Sequence, residues 1–170
     1  MAGPVGWDPA RVTETVYEAV GGLPALESLA HAWHERCIAD PVVAHAFSHG
    51  HHPAHSHRLA LYWAEALGGP RDYTETIASE SDVVRMHAGN GDHHEMDERA
   101  VDCFAAAVDD VGLTADPALA AVLVAYFRWA TDRLGIHHDS ASDVPDGLDV
   151  PRLSWDGLVD GGGTAAAQPQ

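Results

Sequence analysis

The stretch Val-Val-Arg-Met-His-Ala-Gly-Asn-Gly, residues 83–91, decides the fold. Its first four residues lead to His87, and a glycine-rich break follows immediately. The glycines and Asn90 allow the chain to turn away from a helix that ends there. A histidine on the apolar face at the end of a short helix can offer a neutral imidazole nitrogen to a metal ion or a haem iron. Since one histidine near a helix end more often packs or caps, the upstream residues decide between these roles.

The composition describes one acidic domain, or one domain with tails. The chain has 170 residues, of which 46% are hydrophobic, and its net charge is −17. This charge argues against a nucleic acid or an anionic membrane as partner, because the chain lacks a basic patch for phosphates. No stretch has the pattern of a signal segment, and no apolar run approaches the length of a membrane span. We therefore expect a cytoplasmic protein without a membrane partner.

Histidine is over-represented, with 13 residues. Six of them are crowded into one segment: His45, His49, His51, His52, His55 and His57. Most of this segment is interpreted as a solvated loop and helix start, although imidazoles also suit zinc or copper. Cys37 and Cys103 do not form a disulfide framework, and their apolar surroundings predict buried free thiols.

Apolar residues recur at helical spacing along most of the chain, and no strand or hairpin pattern is found, so the predicted fold is all-α. Pro53 is predicted to start a helix that Gly68-Gly69-Pro70 ends. Asp116-Pro117 is predicted to open the last long helix, which Gly135 closes. The predicted organisation is an N-terminal arm over residues 1–13, a domain over 14–138 and a C-terminal extension over 139–170. Part of the extension is expected to dock on the body, and its end to be disordered.

Two of the predicted helices can enclose a flat apolar cofactor with one histidine on each side. The second of these helices carries His87. The first presents His55, Leu59, Tyr62 and Trp63. A haem needs such an apolar slot, an iron ligand and cations for its propionates. Arg58, one turn after His55, and Arg85, near His87, are the candidate propionate partners.

With these elements in place, the sequence resembles the truncated haemoglobins of group II over residues 17–134. The matching motifs follow the order of that family: Y-E-A-V-G-G at 17–22, A-D-P at 39–41, Phe47, L-G-G-P-R-D-Y at 67–73 and R-M-H at 85–87. The resemblance implies a shortened globin fold, in which two antiparallel helix pairs enclose a haem.

The resemblance also implies roles for single residues. His87 matches the proximal iron ligand, and His55 takes the distal position nearest the bound ligand, with Leu59 one turn beyond it. Arg58 matches a propionate-binding residue, and Phe47 matches an aromatic residue at the haem edge. His34 takes the position usually held by a distal tyrosine. The candidate cofactor-binding residues are His87, His55, His34, Phe47, Arg58, Leu59, Trp63, Arg85 and Tyr73, with His87 alone assigned to the metal.

Two departures from the family pattern alter the predicted pocket. Ala100 stands where group II members usually carry a tryptophan, and Gly89-Asn90 replaces a Pro-Phe pair. With the distal tyrosine also replaced, we expect a roomier pocket that is rich in imidazole.

The predicted function is a haem b globin that binds O2, NO, CO or other small ligands at an iron held by His87. One alternative is a haem enzyme on the same scaffold, peroxidase-like or NO-dioxygenating, served by an unidentified electron donor. A second alternative is a haem-free helical protein that binds a divalent metal through its histidine-rich segment. The sequence leaves the resting coordination number and the oligomeric state open.

Overall fold

The computed structural model describes residues 14–159. The predicted N-terminal arm and the end of the predicted extension, from residue 160, lie outside the described residues. The α-helices are α1 Val16–Val20, α2 Gly22–Ala39, α3 His55–Ala66, α4 Asp72–Thr76, α5 Glu80–His87, α6 His94–Asp110 and α7 Pro117–Leu134. In this part of the chain, short 3₁₀ segments cover Val43–Phe47, Leu113–Ala115 and Ala141–Asp143. The predicted all-α class is confirmed.

Local capping signals determine where the key helices begin. The Ser79 side chain accepts a hydrogen bond from the Asp82 amide, and the Asp82 carboxylate accepts one from the Ser79 amide, which forms a capping box at the start of α5. Asp116 accepts hydrogen bonds from the second and third amides of α7. Pro117 occupies the first position of α7, where its missing N–H costs nothing, as the sequence predicted.

A small hairpin corrects the prediction that the chain contains no strands. Strand β1, Arg152–Ser154, pairs antiparallel with β2, Gly157–Val159, and Leu153 lies opposite Leu158. Three-residue strands are too short to show the alternation from which strands are recognised. Gly157 adopts φ +112°, a conformation that glycine reaches without strain.

An aromatic cluster forms the centre of the core, where α2, α3, α6 and α7 meet. Phe104 and Phe127 stack with ring centroids 4.1 Å apart, and Trp63 packs edge-on against Phe104 at 5.3 Å. Trp33 adds a further edge contact with Phe127 at 5.5 Å. Since α2 packs on α3 and α6 packs on α7, these rings join the two helix pairs. Trp63, a candidate cofactor residue, therefore lies in the protein core.

The Gly68-Gly69 pair after α3 has a steric explanation. A Cβ at Gly69 would lie 2.7 Å from the Ala64 carbonyl oxygen and 2.8 Å from the Tyr17 ring. Gly69 also donates to the Ala64 carbonyl at 2.8 Å. Only glycine allows the chain to turn this tightly against α1. Within residues 14–159, none of the helices is long and apolar enough to cross a membrane.

Candidate functional site

Three imidazoles gather around Phe47 where α2, the loop before α3 and the start of α3 meet. The ring of His34, on α2, has its centroid 5.0 Å from that of His55, the first residue of α3. It lies 4.8 Å from the Phe47 ring. The structure adds His51, whose ring is 4.5 Å from His34 and 6.0 Å from His55. We call His34, His51, His55 and Phe47 the distal cluster.

Two nitrogens of the distal cluster are buried without a hydrogen-bond partner. They are Nε2 of His55 and Nδ1 of His34, and no group within residues 14–159 pairs with either. Leaving a buried polar atom unsatisfied costs about 1–3 kcal/mol, so such atoms indicate a place where another group belongs. These two nitrogens are therefore the atoms best placed to meet a ligand.

Burial also keeps both rings neutral. It lowers the pKa of His55 to about 4, and the charges of His34 and His51 act in the same direction. The pKa of His34 is lowered for the same reasons, with burial as the largest cause and His51 next. At neutral pH each ring therefore has one N–H and one free lone pair, so it can donate a hydrogen bond or accept one.

On the other side of the site, α5 presents His87 as its last residue. Nδ1 of His87 lies 2.8 Å from the carbonyl oxygen of Val83. Because a carbonyl can only accept, Nδ1 carries the proton, and in the neutral ring the lone pair is on Nε2. The ring is solvent-exposed, and this backbone contact fixes its tautomer and orientation, as in many metal-binding histidines.

The two sides face the same region. His87 lies close enough to His55 for its charge to lower the pKa of the His55 ring. The half-buried Leu59 is on the same face of α3, one turn after His55. Tyr73 is buried and packs edge-on against Tyr62 at 5.2 Å.

The two candidate propionate partners have different surroundings. Arg58 lies near the Tyr73 hydroxyl and His55, and in the described part of the chain no carboxylate forms an ion pair with it. Arg85 is already engaged, since it pairs with Asp82 at 3.5 Å and with Asp146. Arg58 is therefore the arginine available to a further anion.

Trp33 is hydrogen-bonded to α6 at Ala100, the position that the resemblance predicts to correspond to a tryptophan in group II members. Its indole Nε1 donates to the Ala100 carbonyl oxygen at 3.0 Å. The ring also contacts Phe47 and Trp63, with centroids 6.4 and 6.1 Å away. The indole N–H of Trp33 is therefore already used by the backbone of α6. Sequence spacing alone could not reveal this contact between helices.

The histidine-rich segment does not assemble a divalent-metal centre in the structure. Across the described residues, no group of three His, Cys, Asp or Glu side chains is arranged to hold a metal ion. His57 instead contacts Glu27, with Nδ1 2.6 Å from the carboxylate oxygen. The fit is better for haem, because within the described residues Nε2 of His87 is free, two distal imidazole nitrogens are unpaired, and Arg58 has no carboxylate partner.

The sequence profile of the Bacterial-like globin family matches residues 15–130, a range that includes both His55 and His87. The chain belongs to this family. Globins bind haem and, with it, small diatomic ligands such as O2. A comparison with curated proteins found no match.

Similar solved structures are haemoglobins, and several are group II truncated haemoglobins. The thermostable haemoglobin of Thermobifida fusca is 31% identical, with coverage of 71% of this chain and 96% of that one and a TM-score of 0.59. The haemoglobin of Chloroflexus aurantiacus is 24% identical, with coverage of 71% and 97% and a TM-score of 0.59. The group II truncated haemoglobin of Bacillus anthracis is 19% identical, with coverage of 71% and 90% and a TM-score of 0.61. The predicted resemblance to group II truncated haemoglobins is confirmed.

Proposed function

We propose that this globin binds haem b between α3 and α5, with its iron held by Nε2 of His87, and that it binds O2, NO or CO on the side of His55. The observation that carries the proposal is the Nδ1 contact of His87 with Val83, which leaves Nε2 free and directed by the backbone. The two cysteines are far apart in sequence, which does not fit the Cys-x-x-Cys-His motif of covalent haem attachment and favours haem b.

The bound haem would supply the iron that takes up the diatomic ligand, and the surrounding residues would control access and polarity. The neutral His55 ring can donate its Nε2 proton to a ligand with a partial negative charge. His34 lies next to it and can accept or donate in the same space. Phe47 and Leu59 would line the distal side with apolar surface, and Arg58 would pair with a propionate. A cytoplasmic location stays a prediction.

Addition of haem to the purified chain tests this proposal. We expect a shifted Soret band and, in the ferrous protein, the spectrum of a histidine-ligated iron. His87→Ala should abolish that spectrum, and added imidazole should restore it. His93→Ala changes an exposed histidine outside the site and should leave the spectrum unaltered. An unchanged spectrum in His87→Ala would contradict the assignment.

A haem enzyme, peroxidase-like or NO-dioxygenating, is the second candidate. The arrangement of an exposed His51, a buried His34 and the unpaired His55 favours it, because such rings can serve as acid and base toward a bound peroxide. An electron donor would have to be supplied by a partner. Peroxide turnover that falls in His55→Leu, with the haem spectrum retained, would support this function. Turnover no faster than that of free haem would reject it.

A further inference from the structure

A segment that follows α7 runs along α5, the helix that ends at His87. We call residues 137–150 the strap. At its beginning, the carbonyl oxygens of His137 and His138 accept hydrogen bonds from the amides of Gly89 and Gly91, at 2.9 and 3.0 Å. These two bonds fix the turn that directly follows His87.

The strap also holds the beginning of α5. The Ser81 hydroxyl donates to the Pro145 carbonyl oxygen at 2.9 Å and accepts from the Leu148 amide at 3.1 Å. Ser81 is only 2% exposed, so neither bond is replaced by water in the folded chain. The hydroxyl thus uses its donor and an acceptor site on the same segment. Both ends of α5 are bound to the strap.

Between these ends, apolar side chains seal the contact. Val84 of α5 and Ala88, the residue that caps the end of α5, pack with Val144 of the strap in a small apolar cluster. Leu134 and Leu148 complete this cluster from its edges. Val84 lies one turn before His87 and Ala88 directly follows it, so the burial stabilises the end of α5 that carries the ring.

Arg85 adds a polar link to the same segment. Its guanidinium pairs with Asp146 and donates to the Val144 carbonyl oxygen at 3.4 Å. Asp146 is almost fully exposed, so the ion pair itself contributes little to stability. Its significance is that the arginine nearest His87 is directed toward the strap.

The family profile does not account for this arrangement, because its match ends at residue 130 and the strap begins at residue 137. Helix α5 has only eight residues, which is too short to be stable without tertiary contacts. Residues around a metal-binding histidine commonly determine its orientation and the affinity of the site. The segment beyond the family match is therefore in a position to control the iron ligand.

We propose that the strap positions His87, and that its contacts with Ser81, Val84 and Gly89 set the strength of the iron–histidine bond and the rate of haem loss. This inference rests on the proposed function. The strap residues touch neither haem nor ligand in this scheme. They act through the orientation of α5 and of the turn that follows the ring.

Two variants of the full chain test the inference. Ser81→Ala removes the two hydrogen bonds that the Ser81 hydroxyl forms with the strap, and Val144→Ala removes most of the apolar contact with Val84 and Ala88. The matched control is Ser142→Ala, because Ser142 is an exposed strap residue whose hydroxyl is hydrogen-bonded to Ser140 within the strap itself. The readouts are the iron–histidine stretching band of the ferrous haem protein and the rate of haem transfer to excess apomyoglobin.

In Ser81→Ala and Val144→Ala we expect a shifted stretching band and haem loss faster by about tenfold, the lower end of the effect of losing such supporting contacts. In Ser142→Ala both readouts should stay at the values of the unmodified chain. A folded Ser81→Ala protein with an unshifted band and unchanged haem loss would overturn the inference. Absence of the band in the unmodified chain would instead reject the proposed function, so the two failures are distinguishable.

Discussion

The two sides of the site differ in how completely their imidazole nitrogens are hydrogen-bonded. On the proximal side, Nδ1 of His87 contacts the Val83 carbonyl, and the Ser81 hydroxyl is bound to the strap. The buried Glu80 pairs with Arg133 on α7 at 2.5 Å through Oε1, while its Oε2 has no hydrogen-bond partner among the described residues. On the distal side, two buried imidazole nitrogens have no partner, and the third imidazole, His51, is exposed. The proximal side holds one imidazole in a fixed orientation, whereas the distal side has two unpaired imidazole nitrogens that a ligand can meet.

Replacement of His55 by leucine should change ligand binding on the distal side without affecting the proximal side. We expect it to have the largest effect of the variants, on the rate of O2 dissociation. A hydrogen bond to a polarised ligand contributes about 1.5–3 kcal/mol, so O2 should dissociate about 10- to 100-fold faster in His55→Leu. Stopped-flow measurement of O2 release gives this rate. The iron–histidine band should not move, because the contacts of His87 are untouched.

His57→Leu is the matched control for this change. It lies on α3 two residues away, but it is exposed and contacts Glu27. Its O2 release should equal that of the unmodified chain. Equal rates in both variants and the unmodified chain would show that no hydrogen bond from His55 reaches the ligand.

Sequence patterns predicted the place of His87 at the end of a helix more completely than the grouping of the distal cluster, whereas the role of this histidine as iron ligand came from the family resemblance and stays a prediction. His87 follows an apolar helical stretch and precedes glycines, and both signals are local. The family resemblance assigned His34 and His55 to the pocket. This was possible because each lies on a predicted helix, where residue positions can be aligned with those of the family. His51 was missed because it lies in a loop, where no periodicity relates position in sequence to position in space.

The strap could not be predicted for a different reason. Its key contacts use the backbone carbonyls of His137, His138 and Pro145, and carbonyls are present in every residue. Composition suggested only that apolar residues of the extension would dock. The pairing of Arg85 with Asp146 was equally hidden, because any of 26 acidic residues could have been its partner.

The rate of haem loss tests whether Arg58 binds a propionate, and Arg128 provides the control. Arg58→Ala should speed haem loss by about fivefold, since a partly exposed pair with a propionate contributes about 1 kcal/mol. Arg128→Ala, which removes an exposed arginine paired with Glu98 at 2.6 Å, should have no effect on haem transfer to apomyoglobin. If Arg58→Ala lost haem at the same rate as the unmodified chain, Arg58 would not be a propionate partner.

Acidification should lower the free energy of unfolding, because His55 is buried in its neutral form. The unfolded chain takes up a proton near the ordinary pKa of 6.5, whereas the folded chain does so only near the lowered pKa of about 4. The stability that His55 contributes is therefore complete above pH 6.5 and is lost as the pH falls toward 4. Discounted for the half-exposed ring, the loss between pH 7 and 5 is about 1 kcal/mol. Urea unfolding of the haem-free chain should show a smaller loss of stability between pH 7 and 5 in His55→Leu than in the unmodified chain. An identical pH dependence in the two proteins would contradict a buried neutral His55 ring.

Replacement of His51 should have the smallest effect, a slight change in the pKa of His55. The size of this change tests whether burial or charge keeps the distal rings neutral. The charge of His51 lowers the pKa of both His34 and His55, but burial is the larger cause for each. In His51→Ala the pKa of His55 should therefore rise only slightly, and NMR titration of the ring protons measures it. His49→Ala, an exposed neighbour in the same loop, should cause no change. A rise of the His55 pKa to its ordinary value would mean that charge in the exposed loop, rather than burial between α2 and α3, controls the distal side. The distal imidazoles would then respond to salt, whereas rings kept neutral by burial would not.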